Sequence, residues 1–291
     1  MNKSLQLLKK KRLIIPGALV FLFVLANSCM SLRTSDKEMV KDFSAYQLTP
    51  KIFHTVFQGK PMRYVASKPI DNQLPTLIFV HGAPGSSSDF YRYLRDADLN
   101  KKANLISVDR LGYGYSDYGH ATTAITTQAQ SIVQILSENK IKKVTLIGWS
   151  YGGPIVVKMA MSNPELVKHV VLIAPAISPK DEKYFALGKL AEWKLTRWMI
   201  PEIFKVAEDE KLTHANELEL MRPDWIHIST PITYYHGDKD NIVPFANARF
   251  IKAQMPSDKL NLITIKGGSH FIAFKNFDMI KTELLRILDN F

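Results

Sequence analysis

The sequence predicts an α/β fold in which a mostly parallel central sheet is flanked by helices and carries a helical cap inserted after the sixth strand. Short apolar runs typical of buried strands alternate with helix-like segments between residues 74 and 173, which indicates βαβ units. A Gly-x-Ser-x-Gly motif at residues 148–152 follows one of these runs. The alternation stops after Ile177 and resumes only near Pro231, which indicates the insertion.

The predicted elements follow one another in a regular order. Residues 52–66 alternate as an antiparallel hairpin does, and buried strands are predicted over 74–80, 103–108, 144–149 and 166–173. Helices are predicted over 87–99, 122–139 and 151–162, the first with Ser88 or Asp89 as its N-cap. Strand-like runs also begin at Pro231 and Leu260, and a helix over 278–290 closes the chain.

The segment from residue 177 to 226 is the predicted cap. It carries no strand signal, and its apolar residues recur at steps of three and four, so two or three amphipathic helices are expected. Trp193, Trp198 and Trp225 are each expected to pack the cap against the core, and together they predict a largely apolar pocket beneath it. The remaining core then comprises residues 51–176 and 227–291.

Ser150 is the candidate nucleophile. A strand that leads into Gly-x-Ser-x-Gly and then into a helix holds its serine on a sharp turn, where side chains two residues to either side would collide. A serine hydroxyl is a weak nucleophile until a histidine accepts its proton. That histidine needs a carboxylate that holds its tautomer and stabilises its positive charge. The rest of the chain must therefore supply both groups.

Two later segments supply a carboxylate and a histidine. The strand-like run after Pro231 breaks into a loop with Asp238 and Asp240, and the run after Leu260 ends in two glycines, a serine and His270. Ser150, the acid and His270 thus each follow a predicted strand. Because the carboxyl ends of parallel strands meet at one edge of a sheet, these groups are expected to lie close together. The residues alone leave the acid open between Asp238 and Asp240.

Five landmarks in this order resemble the α/β-hydrolase superfamily, and the resemblance covers the chain from about Lys51 to Phe291. The landmarks are His81–Gly85, Asp109–Asp117, the serine motif, Gly237 with Asp240, and Gly268–His270. The resemblance implies a catalytic triad of Ser150, Asp240 and His270, because the acid of this family follows the glycine by three residues. Asp238 is then expected to be a solvated turn residue.

The resemblance also implies an oxyanion hole. By position, its donors are the backbone N–H groups of Ala83 and Tyr151, which would stabilise the negative charge that develops on the carbonyl oxygen. Asp109 is expected to brace the loop that contains Ala83. His81 is expected to be structural, because its glycine-rich loop acts through backbone groups, and His236 is expected to pack at the end of its strand.

The first 28 residues have the pattern of a secretory signal. Five basic residues end at Arg12, and an uncharged apolar stretch runs from Leu13 to Ala26. Cys29, the only cysteine, resembles the lipidated cysteine of a bacterial lipoprotein, although Ala26 stands where leucine is usual. An incidental cysteine and an uncleaved anchor remain open, since no charged residue occurs between Leu13 and Leu32, a stretch close to the length that spans a bilayer. Either kind of anchor would attach an exported protein to a membrane, with residues 29–50 as a tether.

Charge and composition argue against several classes of partner. The 291 residues carry a formal net charge of +11, and removal of the five basic residues of the signal leaves +6. This surplus is spread along the chain without the basic, aromatic-interleaved block typical of nucleic-acid binding, so no nucleic acid is expected. The sequence contains no metal-ligand cluster and no phosphate-binding loop, and no metal or other cofactor is expected.

The expected function is the hydrolysis of small-molecule carboxylic esters with small or medium apolar acyl groups, through an acyl-enzyme intermediate on Ser150. The same triad also serves carbon–carbon, lactone or amide hydrolysis, acyl transfer and cofactor-free haloperoxidase activity, and these alternatives stay open. A non-catalytic binding protein on the same scaffold is a further alternative. Serine at position 150 disfavours haloalkane dehalogenases and epoxide hydrolases, which use aspartate there.

Overall fold

The computed structural model describes residues 32–184 and 188–290. The predicted signal and Cys29 lie outside the described residues. The strands are β1 (Lys51–Phe57), β2 (Lys60–Ala66), β3 (Thr76–Val80), β4 (Asn104–Val108), β5 (Val144–Trp149), β6 (Val167–Ile173), β7 (Ile232–Gly237) and β8 (Leu260–Ile265). The helices are α1 (Asp36–Ser44), α2 (Tyr91–Leu94), α3 (Ala97–Lys102), α4 (Ile125–Glu138), α5 (Gly152–Ser162), α6 (Gly188–Glu192), α7 (Lys194–Arg197), α8 (Glu202–Met221), α9 (Ala246–Gln254), α10 (Ile272–Lys275) and α11 (Phe277–Leu288). Two 3₁₀ helices cover Ser87–Phe90 and Arg222–His227.

All eight strands form one sheet in the order β1-β2-β4-β3-β5-β6-β7-β8. β1 pairs antiparallel with β2, and β2 pairs antiparallel with β4, whereas the other neighbours are parallel. The central strands β3, β4 and β5 are buried along their whole length, as their uninterrupted apolar runs require. The predicted, mostly parallel sheet is therefore confirmed.

A hydrophobic core lies on each face of this sheet. Alternate residues of β3 separate accordingly, with Ile78 and Val80 in one core and Leu77 and Phe79 in the other. The first core is completed by α4, α5 and α9, and the second by α1, α2, α3 and α11. Helices on both faces bury the sheet and leave the carboxyl ends of its strands as the place where loops converge.

Residues 36–44 are not a free tether, although the polar composition of 29–50 predicts one. They form α1, which Ser35 caps by accepting a hydrogen bond from the Glu38 N–H group. Met39 and Phe43, four residues apart, share one face of this helix and are completely buried. The Phe43 ring meets Tyr91 edge-on at 5.2 Å. Two well-spaced apolar side chains thus hold this short helix against the core, and a count of polar residues could not reveal that.

The helical region after β3 begins at Ser87, as predicted, but it is broken into three short helices. Ser86, and neither Ser88 nor Asp89, is the N-cap. Its hydroxyl accepts a hydrogen bond from the Ser88 N–H group, and the Asp89 carboxylate accepts one from the Ser86 N–H group. These reciprocal bonds form a capping box, so Asp89 lies at the third helical position.

The predicted cap lies between β6 and β7 and contains α6, α7, α8 and the second 3₁₀ helix. The long helix α8 buries one residue in every three or four: Ile203, Val206, Glu210, His214, Leu218 and Met221. Trp225 packs inside as expected, but Trp193 and Trp198 are 58% and 56% exposed and do not join cap to core. No helix within the described ranges is long and apolar enough to cross a membrane.

Candidate active site

Ser150 lies on a tight turn between β5 and α5. The backbone of Ser150 has a φ of +53°, a left-handed conformation that non-glycine residues seldom adopt. Ser150 is 8% exposed. A Cβ atom on Gly148 would lie 2.6 Å from the Gly152 carbonyl oxygen, and one on Gly152 would lie 2.2 Å from the carbonyl oxygen of Val80. Both glycines are therefore required by close backbone contacts, as expected for a strained turn that presents a serine.

Asp240 and His270 are joined by a hydrogen bond. Asp240 Oδ2 lies 2.8 Å from His270 Nδ1, and Oδ1 accepts hydrogen bonds from the N–H groups of Ile242 and Val243, both at 2.8 Å. Burial alone would raise the pKa of Asp240, but the hydrogen bonds and the His270 charge outweigh it and lower the pKa below its usual value. An ionised Asp240 thus fixes one nitrogen of His270 as a donor and leaves Nε2 for chemistry.

The structure separates the two acids of this loop by their environment. Asp238 is exposed and accepts a hydrogen bond from the Gly267 N–H group at 2.6 Å. His236 is buried beneath Asp240, with Nδ1 2.8 Å from the Tyr234 hydroxyl and Nε2 3.0 Å from the Val243 carbonyl oxygen. Burial lowers the pKa of His236. His236 therefore supports the acid loop, and of the two acids it is Asp240 that contacts His270.

The loop after β3 passes directly beside Ser150. A Cβ atom on Gly82 would lie 3.0 Å from Ser150 Cβ and 3.5 Å from Ser150 Oγ, so a larger residue there would press on the serine. Within the part of the chain that the structure describes, no acceptor takes the amide hydrogen of Ala83 or of Tyr151. Two unpaired donors beside a candidate nucleophile are what an oxyanion site requires.

Arg110, which the sequence did not single out, holds this loop. Its Nε donates to the His81 carbonyl oxygen at 3.1 Å and its Nη2 to the Gly82 carbonyl oxygen at 3.0 Å. Asp109, the predicted brace, instead accepts from the Ser87 N–H group and from Arg63. It therefore secures the segment that follows the loop. The sequence analysis assigned the bracing of the Ala83 loop to Asp109, whereas the neighbouring residue Arg110 makes those contacts.

The guanidinium of Arg110 also forms an ion pair with a residue of the cap. Glu210 on α8 accepts from Arg110 Nη1 at 2.7 Å and from Nη2 at 3.1 Å, and both side chains are fully buried. Tyr113 donates its hydroxyl hydrogen to Glu210 at 2.7 Å, and Gln128 donates at 3.3 Å. The Arg110 guanidinium also lies 4.8 Å from the centre of the Tyr151 ring. No local pattern in the sequence indicated the contact between Arg110 and Glu210, because the two residues are 100 positions apart.

The structure thus brings most of the predicted site together at one edge of the sheet. Asp240 contacts His270, and the Ala83 loop contacts Ser150. The described residues show no hydrogen bond between Ser150 and His270, a contact that is often long in free enzymes and shortens when substrate binds. Phe271 is 44% exposed, and the centre of its ring lies 5.8 Å from that of the His270 ring. The sequence analysis did not predict a role for Phe271 in the site. No group of side chains suited to a metal ion occurs within the two described ranges.

Comparisons with known proteins agree with this fold. Residues 75–197 match the family model of the alpha/beta hydrolase fold. A probable 1-acylglycerol-3-phosphate O-acyltransferase of Oryza sativa subsp. japonica is 34% identical over 121 residues, which are 39% of this chain. The match spans only 29% of the rice protein. The serine hydrolase BPHL of Homo sapiens is 25% identical over 207 residues, which are 64% of this chain and 70% of the human protein.

Among solved structures, a membrane phospholipase A described as a bacterial virulence factor aligns with all of this chain and 99% of its own, with a TM-score of 0.66. Its sequence identity to this chain is 16%, so the similarity concerns the fold alone. The sheet order, the family match and this alignment together show an α/β-hydrolase fold.

Proposed function

We propose that this chain, which has an α/β-hydrolase fold, belongs to the α/β-hydrolase superfamily and is a serine hydrolase that cleaves carboxylic esters through an acyl-enzyme intermediate. The observation that carries the proposal is the hydrogen bond between Asp240 and His270, at the same edge of the sheet as the strained turn at Ser150. A buried, ionised carboxylate on Nδ1 has no evident role in a binding protein, whereas a histidine base requires it.

The proposed reaction has two halves. Ser150 Oγ attacks the acyl carbon while His270 Nε2 accepts the hydroxyl proton, and the carbonyl oxygen becomes an oxyanion held by the amides of Ala83 and Tyr151. His270 then returns the proton to the departing alkoxide, and the acyl group stays on Ser150. Water attacks this ester with His270 again as base, the acid leaves, and Ser150 recovers its proton.

A small or medium apolar acyl group is the substrate class that we infer. Phe271 presents a partly exposed ring beside the base, and Trp149 and Phe274 extend the apolar surface behind it, with ring centres 4.9 Å apart. Apolar walls with few polar groups favour apolar ligands. The similarity to the rice acyltransferase keeps acyl transfer as a second candidate, in which an alcohol replaces water in the second half.

A fluorophosphonate probe tests the proposal, because it phosphonylates an activated serine. The wild-type protein should be labelled, Ser150→Ala should not, and the matched variant Ser131→Ala, at a buried helical serine, should label fully. Unlabelled wild type, or undiminished labelling of Ser150→Ala, would contradict a serine hydrolase. Incubation of a labelled ester with an added alcohol then separates the candidates, since free acid indicates hydrolysis and a new ester indicates acyl transfer.

We also propose that the protein is exported and attached to a membrane through its N-terminal segment, with Cys29 as a lipidated residue. The described chain begins beside the cap, because Arg33 lies 3.5 Å above the Tyr118 ring and Tyr118 packs with Ile203 and Val206 of α8. Exposed apolar side chains precede α8: Trp193, Leu195, Trp198 and Met199. This arrangement supports a membrane surface next to the cap, because tryptophans favour the interface between lipid and water.

Mass spectrometry of the membrane fraction tests the lipid anchor. We expect an N-terminal Cys29 that carries acyl chains. Retention of Met1, or an unmodified Cys29, would contradict the lipoprotein proposal.

A further inference from the structure

We propose that His81 and Arg110 are positioning residues that fix and polarise the oxyanion-hole peptide between Gly82 and Ala83, and that Glu210 makes this dependent on the position of the cap. The inference rests on the proposed function, since the Ala83 amide is an oxyanion donor only in a reaction that forms an oxyanion. It adds three buried side chains outside the triad to the residues on which turnover depends.

The first step concerns the peptide itself. The carbonyl of Gly82 and the N–H group of Ala83 belong to one peptide unit, and this bond is not among the cis bonds of the chain. In a trans peptide these two groups point in opposite directions. The Gly82 carbonyl oxygen is held on one side by His81 Nδ1 at 2.7 Å and by Arg110 Nη2 at 3.0 Å. The Ala83 N–H group must therefore point away from Arg110.

The second step concerns the proton on His81. Its Nε2 accepts a hydrogen bond from the backbone N–H group of Arg110 at 3.0 Å, so the hydrogen of a neutral ring must be on Nδ1. Burial and the neighbouring Arg110 charge lower the pKa of His81 well below its usual value, which keeps the ring neutral. His81 therefore donates from Nδ1 to the Gly82 carbonyl oxygen. Two donors, one of them cationic, converge on one carbonyl.

The third step is polarisation. Hydrogen bonds to a carbonyl oxygen draw electron density through the peptide and strengthen the opposite N–H group as a donor. Arg110 and His81 are both fully buried, so little water screens their effect. The pair thus orients the Ala83 amide and increases its attraction for negative charge. This benefit is larger for an oxyanion than for the neutral carbonyl of a bound ester, and it belongs to the transition state.

The last step connects the peptide to the cap. Arg110 Nη2 binds both the Gly82 carbonyl oxygen and Glu210 Oε2, so a shift of α8 moves the same nitrogen that holds the peptide. Tyr113 and Gln128 hold the other side of the Glu210 carboxylate. A displaced cap would leave Arg110 without its counter-charge and free to leave the peptide. The assembled cap is therefore expected to be a condition for full oxyanion stabilisation.

The test compares Glu210→Gln with Glu217→Gln in the purified full-length protein. Both residues lie on α8 and both bind the core, but the hydrogen bond that Glu217 accepts among the described residues comes from the Ile125 N–H group, at 2.9 Å. For Glu210→Gln we expect kcat to fall roughly 10- to 50-fold with little change in KM, which is less than the loss of a whole oxyanion donor. Glu217→Gln should stay within about twofold.

A trifluoromethyl ketone and a carboxylate product analogue supply the decisive readout. The ketone forms a tetrahedral adduct with an oxyanion, so Glu210→Gln should weaken its inhibition by the same factor as kcat. The carboxylate resembles a ground state, and its inhibition should hardly change. A purely structural role would weaken both inhibitors alike, or neither, and would overturn the inference.

Tyr113→Phe covers the case in which Glu210→Gln does not fold. It removes one hydroxyl that donates to Glu210 and should give a smaller loss in the same pattern, selective for kcat and for the ketone. Equal effects of Tyr113→Phe on the ketone and the carboxylate would also overturn the inference. A wild-type protein that neither hydrolyses esters nor binds the ketone would refute the proposed function instead, so the two failures are distinguishable.

Discussion

Trp149, the residue directly before the candidate nucleophile, donates its indole N–H hydrogen to the backbone carbonyl oxygen of His270 at 3.1 Å. The centres of the Trp149 and His270 rings lie 5.5 Å apart, and the Phe274 ring packs edge-on against the indole, with ring centres 4.9 Å apart. One side chain therefore connects the turn that presents the serine to the loop that presents the base. The tryptophan within the serine motif consequently has a local structural role that does not depend on the identity of the substrate.

Trp149→Phe should separate this hydrogen bond from the packing of the ring. Phenylalanine keeps most of the contact with Phe274 but leaves the His270 carbonyl without its donor, a loss of about 1 kcal/mol. Because His270 would then be held less well in its catalytic position, we expect kcat to fall roughly fivefold while KM changes little. Steady-state kinetics would be compared with Trp225→Phe, a buried tryptophan in the cap. Equal activity of both variants would show that the bond does not position His270.

Asp240→Asn and Asp238→Asn should differ strongly in activity. An asparagine at position 240 no longer offers a negative charge to Nδ1 of His270, so kcat should fall roughly 10²- to 10⁴-fold. Asp238 is exposed and accepts a backbone hydrogen bond from Gly267, which asparagine can also accept, so its asparagine variant should retain activity within about threefold. Ester hydrolysis by the two purified variants decides the matter. A crippled Asp238→Asn beside an active Asp240→Asn would reverse the assignment of the acid.

Much of the fold follows from local patterns in the sequence. β5 begins and ends at the predicted residues, because an apolar run of this length, bounded by charged residues and a glycine motif, is too short for a typical helix and favours a buried strand. The paired order of β1 and β2 was also foreseeable from their alternation. The helix α1 was not, because its stability comes from the burial of two residues against a core that the local sequence does not reveal.

Some residues of the candidate site could be predicted from local patterns, and others could not. Ser150 and His270 are each marked by nearby glycines and by a preceding strand, so their roles could be proposed from the sequence pattern, whereas the choice of Asp240 over Asp238 required the resemblance to the α/β hydrolases. The link between Arg110 and Glu210 could not, since neither residue has a local signal and their contact depends on how the cap folds over the core. Phe271 was missed for a related reason: an aromatic residue after the base has no meaning until its exposure is known.

Glu182 should stabilise the protein in a pH-dependent way. Burial opposes its charge, but His214 at 3.0 Å and Lys211 lower the pKa of the carboxyl to about 2. Because this pKa lies below that of the unfolded chain, the stabilisation is complete above about pH 4.5 and disappears as the pH falls towards 2. Glu182→Gln should therefore lower the free energy of unfolding by roughly 1–3 kcal/mol at pH 7.

Urea unfolding from pH 7 to pH 3 checks the Glu182 prediction. The difference between wild type and Glu182→Gln should shrink steadily below about pH 4.5. Glu219→Gln is the matched control, since that residue forms an exposed pair with Arg222, and it should cost at most about 0.5 kcal/mol at any pH. A difference that is constant with pH would mean that packing, and not charge, explains the effect of Glu182.

The preference for acyl length should reveal how the apolar wall beside His270 is used. Each methylene that leaves water contributes up to about 0.8 kcal/mol, which corresponds to roughly a fourfold gain in kcat/KM. We expect kcat/KM for p-nitrophenyl esters to rise from acetate to medium chains and to fall for palmitate, because the buried contacts of α8 hold the cap in place. Phe271→Ala should flatten the rise, whereas Met279→Ala, an equally exposed residue on α11, should not. A flat wild-type profile would exclude contact between this wall and the acyl chain, and a maximum at palmitate would indicate a lipase whose cap opens widely.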